Sequence, residues 1–214
     1  MEPERERGVE RLIFFTDAVA AIAITLLILP LVEIVTTDAG KANAVTVEQF
    51  LYDNVSQILA FGLSFLIIAR FWLANHEILA DTVKTTTVLM WLDLAWVFTI
   101  VLLPLPTEIT AVYPASQLTT CIYIGACFAG TLLLTAMSAY LYRHPELEQK
   151  DKPVSTLQIW GIGATAGAFA VALLLALIIP GIHYWALLGL LLATPLDLIV
   201  KPRLRAREIA RRAK

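Results

Sequence analysis

A carboxylate inside an apolar run is the first feature of this chain that demands a chemical explanation. Arg11-Leu12-Ile13-Phe14-Phe15-Thr16-Asp17 leads into a stretch almost wholly apolar as far as Val32, which sets Asp17 a turn or two inside a membrane boundary. An acid at that depth is costly unless it is paired, and such groups face protein or water rather than lipid. At 100° per residue Asp17 stands about 140° around the helix from Ile22, so it points toward neighbouring helices and away from the face that Ile22 presents. A second polar group closes another apolar run, Arg70-Phe71-Trp72-Leu73-Ala74-Asn75-His76-Glu77. Trp72 and His76 are four apart and share a helix face, which predicts a hydrogen-bonded network of Asp17, Thr16 and His76. His76 alone reads as an ordinary interfacial histidine. Asp93 is a further candidate for this network or for a water-filled crevice, and Asp197 is expected to pair with the basic C-terminal residues.

Other chemistries are missing their residues. His76-Glu77 begins a His-Glu-x-x-His zinc motif, but Ala80 stands where the second histidine is needed. There is no Gly-x-Ser-x-Gly elbow, phosphate loop, Cys/His cluster or Thr-Val-Gly-Tyr-Gly filter. No enzyme activity, metal site or cofactor is expected, and a net charge of -2 gives no reason to expect nucleic acid as a partner.

The elements that must hold these groups are membrane helices. Of 214 residues 58% are hydrophobic and 16% charged, with a mean hydropathy of +0.74, beyond what a soluble core of this size needs. The predicted fold class is an all-α integral membrane protein, a single transmembrane domain over 1–214 with six spans near 10–35, 50–75, 86–106, 117–142, 158–180 and 183–200. The connectors holding Lys84 and Arg143, Lys150 and Lys152, and the 201–214 tail with its seven basic residues, are expected in the cytoplasm with both termini, leaving Lys41 as the one outer cation. The tail most simply anchors the last helix at anionic lipid. No cleavable signal is read at the start, because the first apolar run is as long as a full span and no small-residue cleavage site follows it. Cys121 and Cys127 read as ordinary buried thiols.

Local breakers add detail. Pro180, Gly181 and His183 predict a tight hairpin between the last two spans, and Pro104 and Pro106 predict an end or kink in the third. Pro30 leaves the carbonyl of Leu26 without its usual partner, a place where the first helix can bend. Gly161, Gly163 and Gly167 predict close helix packing in the fifth span. No internal repeat is present, so a pore would need several copies of the chain.

The first span also carries a resemblance. Arg11-x-x-x-Phe15-Thr16-Asp17 followed by Ala18-Val19-Ala20-Ala21-Ile22-Ala23-Ile24-Thr25-Leu26-Leu27 resembles the signature Arg-x-x-x-Phe-Ser-Asp-Gly-Val-Phe-Ala-Ile-Ala-Ile-Thr-Leu-Leu of the transmembrane protein 175 potassium channels in their short prokaryotic form. Trp72-Leu73-Ala74-Asn75-His76 is similar to that family's Trp-x-x-His-His, and Pro104-Leu105-Pro106-Thr107 to its Pro-Phe-Pro-Thr. Thr16 keeps the hydroxyl of the serine it replaces, whereas Ala18 replaces a glycine and Asn75, unlike the histidine it replaces, cannot take up a proton.

The resemblance implies a homotetramer of six-helix subunits in a bacterial plasma membrane, with the four first helices lining a pathway for potassium and other monovalent cations and no re-entrant filter. It assigns the constriction to Ile22, Leu26 and Leu29, a hydroxyl layer to Thr25, and a structural polar network to Arg11, Phe15, Thr16, Asp17, Trp72 and His76. Helical spacing agrees in part: relative to Ile22, Leu26 falls at about +40° and Leu29 at about -20°, one stripe on one face. The expected function is a potassium-permeable cation channel. The alternatives are a proton-coupled secondary transporter using Asp17, His76 and Asp93, and a noncatalytic membrane scaffold.

Overall fold

In the computed structural model, residues 2–39, 46–114, 116–148 and 156–178 are described. The expected sixth span at 183–200, the hairpin at Pro180, Gly181 and His183, Asp197, the 201–214 tail, Lys41, Lys150 and Lys152 lie outside them. Among the described residues the chain is helical, and five helical stretches are long and apolar enough to cross a membrane.

The first span is Arg7–Thr37, longer than the expected 10–35 and divided. Helix α1 is Glu2–Leu26 and α2 is Leu29–Ala39. The division follows from Pro30, whose ring nitrogen cannot donate to the Leu26 carbonyl. The backbone tightens across the gap, with Ile28 N–H donating to the Thr25 carbonyl at 3.4 Å before Val32 N–H resumes ordinary pairing with Ile28 at 3.1 Å.

The second span starts later and ends later than expected, at Val55–Ala80 (α4), behind a short helix α3 at Val47–Asp53. Thr46 caps α3 by accepting from Gln49 N–H, and the Asn54 amide donates back to the Phe50 carbonyl at 2.9 Å, separating α3 from α4. Helix α4 continues through Asn75, His76 and Glu77, and Asn75 within it is buried against a polar partner, Asp93.

The third stretch, Thr87–Val112, has two helices, α5 at Thr87–Leu102 and α6 at Pro104–Val112. The prolines interrupt the span at Leu103 as expected but do not end it. Both fall in the first turn of α6, where a missing N–H costs little. Helix α7, Gln117–Arg143, opens on a capping box between Ser116 and Thr119, and α8 is Thr156–Ile178.

Helix α7 is central, packing on α8, α5 and α6. The glycine that permits close approach is Gly130 of α7, where a Cβ would meet the Phe71 ring at 3.1 Å. The fifth span does pack on α7, but a Cβ on Gly163 would reach only Thr135 at 3.9 Å and one on Gly167 would meet nothing within 4 Å, so these two glycines are not what permits it. Cys127 is buried, Cys121 is only partly so, and both are free thiols. At the end of the bundle where α4 and α7 finish, Val83 N–H donates to the Leu147 carbonyl at 2.8 Å and Thr82 bridges to Glu148, so the two connectors there are joined.

Candidate pore helix and its polar anchor

Consecutive residues on a helix diverge by about 100°, and this decides where Thr16 and Asp17 go. Asp17 faces α4: Trp72 Nε1–H donates to its Oδ1 at 2.7 Å, and His76 Nδ1 lies 3.5 Å from the same oxygen. The indole contact is a full hydrogen bond, whereas the histidine stands at the outer limit of one. Trp72 and His76 also face each other with ring centroids 5.9 Å apart.

Thr16 turns to α5 instead. It is 1% exposed and donates to Asp93 Oδ2 at 2.7 Å, while Asn75 Nδ2 donates to Asp93 Oδ1 at 2.8 Å. The expected Thr16–His76 contact is replaced by this bond, because one helix cannot aim neighbouring residues at one partner. Asp93, fully buried, ties the first, second and third spans together at one point. Asn75, where the resembled pattern has a histidine, supplies the second donor. It entered the sequence reading only as a departure, and no spacing rule marks it as Asp93's partner.

Arg11 and Phe15 take no part in this cluster. Arg11 is exposed and Phe15 is 48% exposed. The cause is their position: Arg11 lies about 20° and Phe15 about 20° from Ile22 around the axis, on the face opposite the anchor. That face carries Ile22 at 57%, Leu26 at 42% and Leu29 at 55% exposure, while Ala20, Ala23 and Leu27 on the other side are buried. Thr25 is exposed as well, and its hydroxyl donates to the Ile22 carbonyl at 2.8 Å, so the oxygen offers lone pairs outward and no free proton. Glu33, exposed on α2 beyond the break, places a carboxylate past the aliphatic residues. Sequence reasoning passed over it, although it follows Ile22 by three turns.

Fold and site together define a multi-span α-helical membrane protein in which one helix presents an uncovered aliphatic face and is bolted to its own bundle by the other. Residues 11–104 match the family described as endosomal/lysosomal potassium channel TMEM175. That stretch takes in most of α1 and all of α4 and α5, and over it the chain is similar to a family of potassium channels. The fold is also that of a solved protein, a lysosomal potassium-selective channel TMEM175 homolog from Chamaesiphon minutus. The two share a TM-score of 0.68 and 21% identity, over 91% of this chain and 98% of that one. At this identity the likeness shows the fold. No curated protein matches the sequence significantly.

Proposed function

We propose that this chain is the subunit of a potassium-permeable channel of a prokaryotic plasma membrane, a tetramer of six-span subunits with both termini in the cytoplasm. Four first spans surround the pathway, and Ile22, Leu26 and Leu29 narrow it. What carries this is the division of α1 into two faces, one locked to α4 and α5 through Asp17 and Thr16 and one left exposed with its large aliphatic groups. The family match supports an ion pathway, and the Chamaesiphon minutus protein, described as potassium-selective, supports the permeant ion.

Selection at such a constriction works without fixed charge. A ring of Ile22 side chains excludes water when closed and strips part of the hydration shell when open. Thr25 supports a preference for cations, since its hydrogen is committed to Ile22 and its oxygen is free to accept. Arg11 and Phe15, on the same face, fall where subunits meet. The anchor has a holding role, because each oxygen of Asp93 is occupied by a donor from a different helix.

Reversal potentials of liposomes under potassium and sodium gradients, without a proton gradient, test this. The wild-type protein is expected to favour potassium, and Ile22→Asn to raise conductance and reduce the discrimination. Unchanged conductance and selectivity in that variant removes Ile22 from the pathway. Flux that requires a proton gradient supports the transporter, and no flux at all supports the scaffold.

A further inference from the structure

The break between α1 and α2 leaves one backbone oxygen without its helical partner near the middle of the Arg7–Thr37 span. In an unbroken helix the Leu26 carbonyl accepts from the N–H of residue 30, and Pro30 has none. The N–H groups on either side of the gap are committed elsewhere, Ile28 to the Thr25 carbonyl at 3.4 Å and Val32 to the Ile28 carbonyl at 3.1 Å. Lipid cannot answer a carbonyl at this depth. Irregular backbone inside a bilayer occurs where protein covers it or where it lines a water-filled cavity. The bundle's own cover lies on the other side of α1, over buried Ala23 and Leu27. Leu26 stands on the uncovered face, about 40° around the axis from exposed Ile22 and one turn, about 6 Å, beyond it.

We propose that the Leu26 carbonyls of the assembled subunits form a binding site for a partly dehydrated monovalent cation of potassium's size, one turn beyond the Ile22 ring. The inference rests on the reading of α1 as the pore helix and adds to it a ligand that no side chain provides. Carbonyl oxygens replace the waters of a cation's hydration shell, and unwound backbone where a membrane helix is interrupted coordinates monovalent ions in the same way. The chemistry of the oxygens sets the class of ion. Neutral dipoles suit a monovalent cation, whereas magnesium gives up its water reluctantly. The position gives the site its use: an ion that sheds water to pass the Ile22 side chains meets replacement oxygens within one turn. Pro30 is then the residue that makes the site, because any other residue there would bring an N–H to the Leu26 oxygen.

Anomalous scattering from thallium(I), a monovalent stand-in for potassium, locates the site in crystals of the full chain. Density at the level of the Leu26 carbonyls is expected in the wild-type protein. It should be lost in Pro30→Ala, whose added N–H takes up the Leu26 oxygen, and it should be displaced by excess potassium but not by magnesium. The readout needs no flux, which separates the site from the pathway it serves. A wild-type protein with no thallium at Leu26, but whose conductance responds to Ile22→Asn, overturns the site and leaves the pathway standing. Thallium at Leu26 in a protein whose conductance ignores Ile22→Asn keeps the site and removes the constriction. Density that persists unchanged in Pro30→Ala, or that magnesium displaces as readily as potassium, overturns the proposal. Should Pro30→Ala fail to fold by thermal unfolding, the position of thallium in the wild-type protein decides, and density centred on the Thr25 hydroxyls instead of the Leu26 carbonyls overturns it.

Discussion

Asp93 has two carboxyl oxygens, and both are taken, one by Thr16 and one by Asn75. Because the group is fully buried, removing a single donor strands an oxygen where water does not reach it, which costs about 1–3 kcal/mol and more if the acid is ionised. Asn75→Leu and Thr16→Val are each expected to lower thermal stability in detergent by that amount. The double variant Asn75→Leu/Asp93→Leu should lose less than Asn75→Leu alone, since it removes the stranded group together with its partner. A double variant less stable than the single one would mean that Asp93 has a further partner of value. Asp17→Ala, which removes the acceptor of the Trp72 indole, is expected to lower the yield of assembled protein. At this scale the sequence made Asp17 legible through its depth in an apolar run. It did not reveal that Thr16 and Asp17 would part company. Asn75 and Asp93 are 18 residues apart on different spans, and helical periodicity relates residues within one helix only.

At the scale of elements, prolines define the breaks, but their position in each helix decides the outcome. Pro104 and Pro106 open α6 and the span continues, so the sequence placed the interruption correctly and the end too early. Pro30 behaves in the same way, sitting in the first turn of α2 while removing the partner of the last residue of α1. Pro30→Ala restores that donor and is expected to join α1 to α2, a gain of up to about 3 kcal/mol of local helix stability. Hydrogen exchange at Thr25 to Ile28 should slow, by up to about a hundredfold on the same difference, and unchanged exchange would show the break to be set by tertiary packing. The connector after α7 is also built by local contacts that hydropathy does not register. Glu146 accepts from its own backbone and from His144 Nδ1, which lies 2.9 Å away, and its carboxyl is held below the ordinary carboxylate range by those bonds and by the charges of His144 and Lys84. A depressed pKa contributes stability above the ordinary value and loses it as pH falls through the depressed one. The wild-type protein should therefore keep a small thermal advantage over Glu146→Gln at neutral pH and lose it on acidification below the usual glutamate range. An advantage that persists in acid would assign the effect to packing.

At the scale of the molecule, an isolated subunit leaves too much of its first span uncovered to be read as finished. Phe14, Phe15, Ile22, Leu26 and Leu29 are all exposed along the first span, whose α1 is attached on its other side through Thr16 and Asp17. Lipid can cover such a face, because tails are as apolar as leucine and give helices little hydrophobic reason to associate. Of the polar side chains on it, the Thr25 hydroxyl is already bonded to the Ile22 carbonyl, and the Glu33 carboxylate, four residues from the end of the span, is the one that calls for water. The proposed shared axis would supply that water. A count of four subunits is only what the resemblance implies, since nothing in a single helix's periodicity counts its copies. In a background without Cys121 and Cys127, Ile22→Cys is expected to form disulfide-linked dimers on oxidation, because residues on a common axis approach one another across subunits. The native mass in detergent should be four times that of the chain before and after oxidation. Ile22→Cys protein that stays unlinked while a lipid-soluble maleimide modifies it fully would place this face in the bilayer, and the constriction would have to be sought elsewhere.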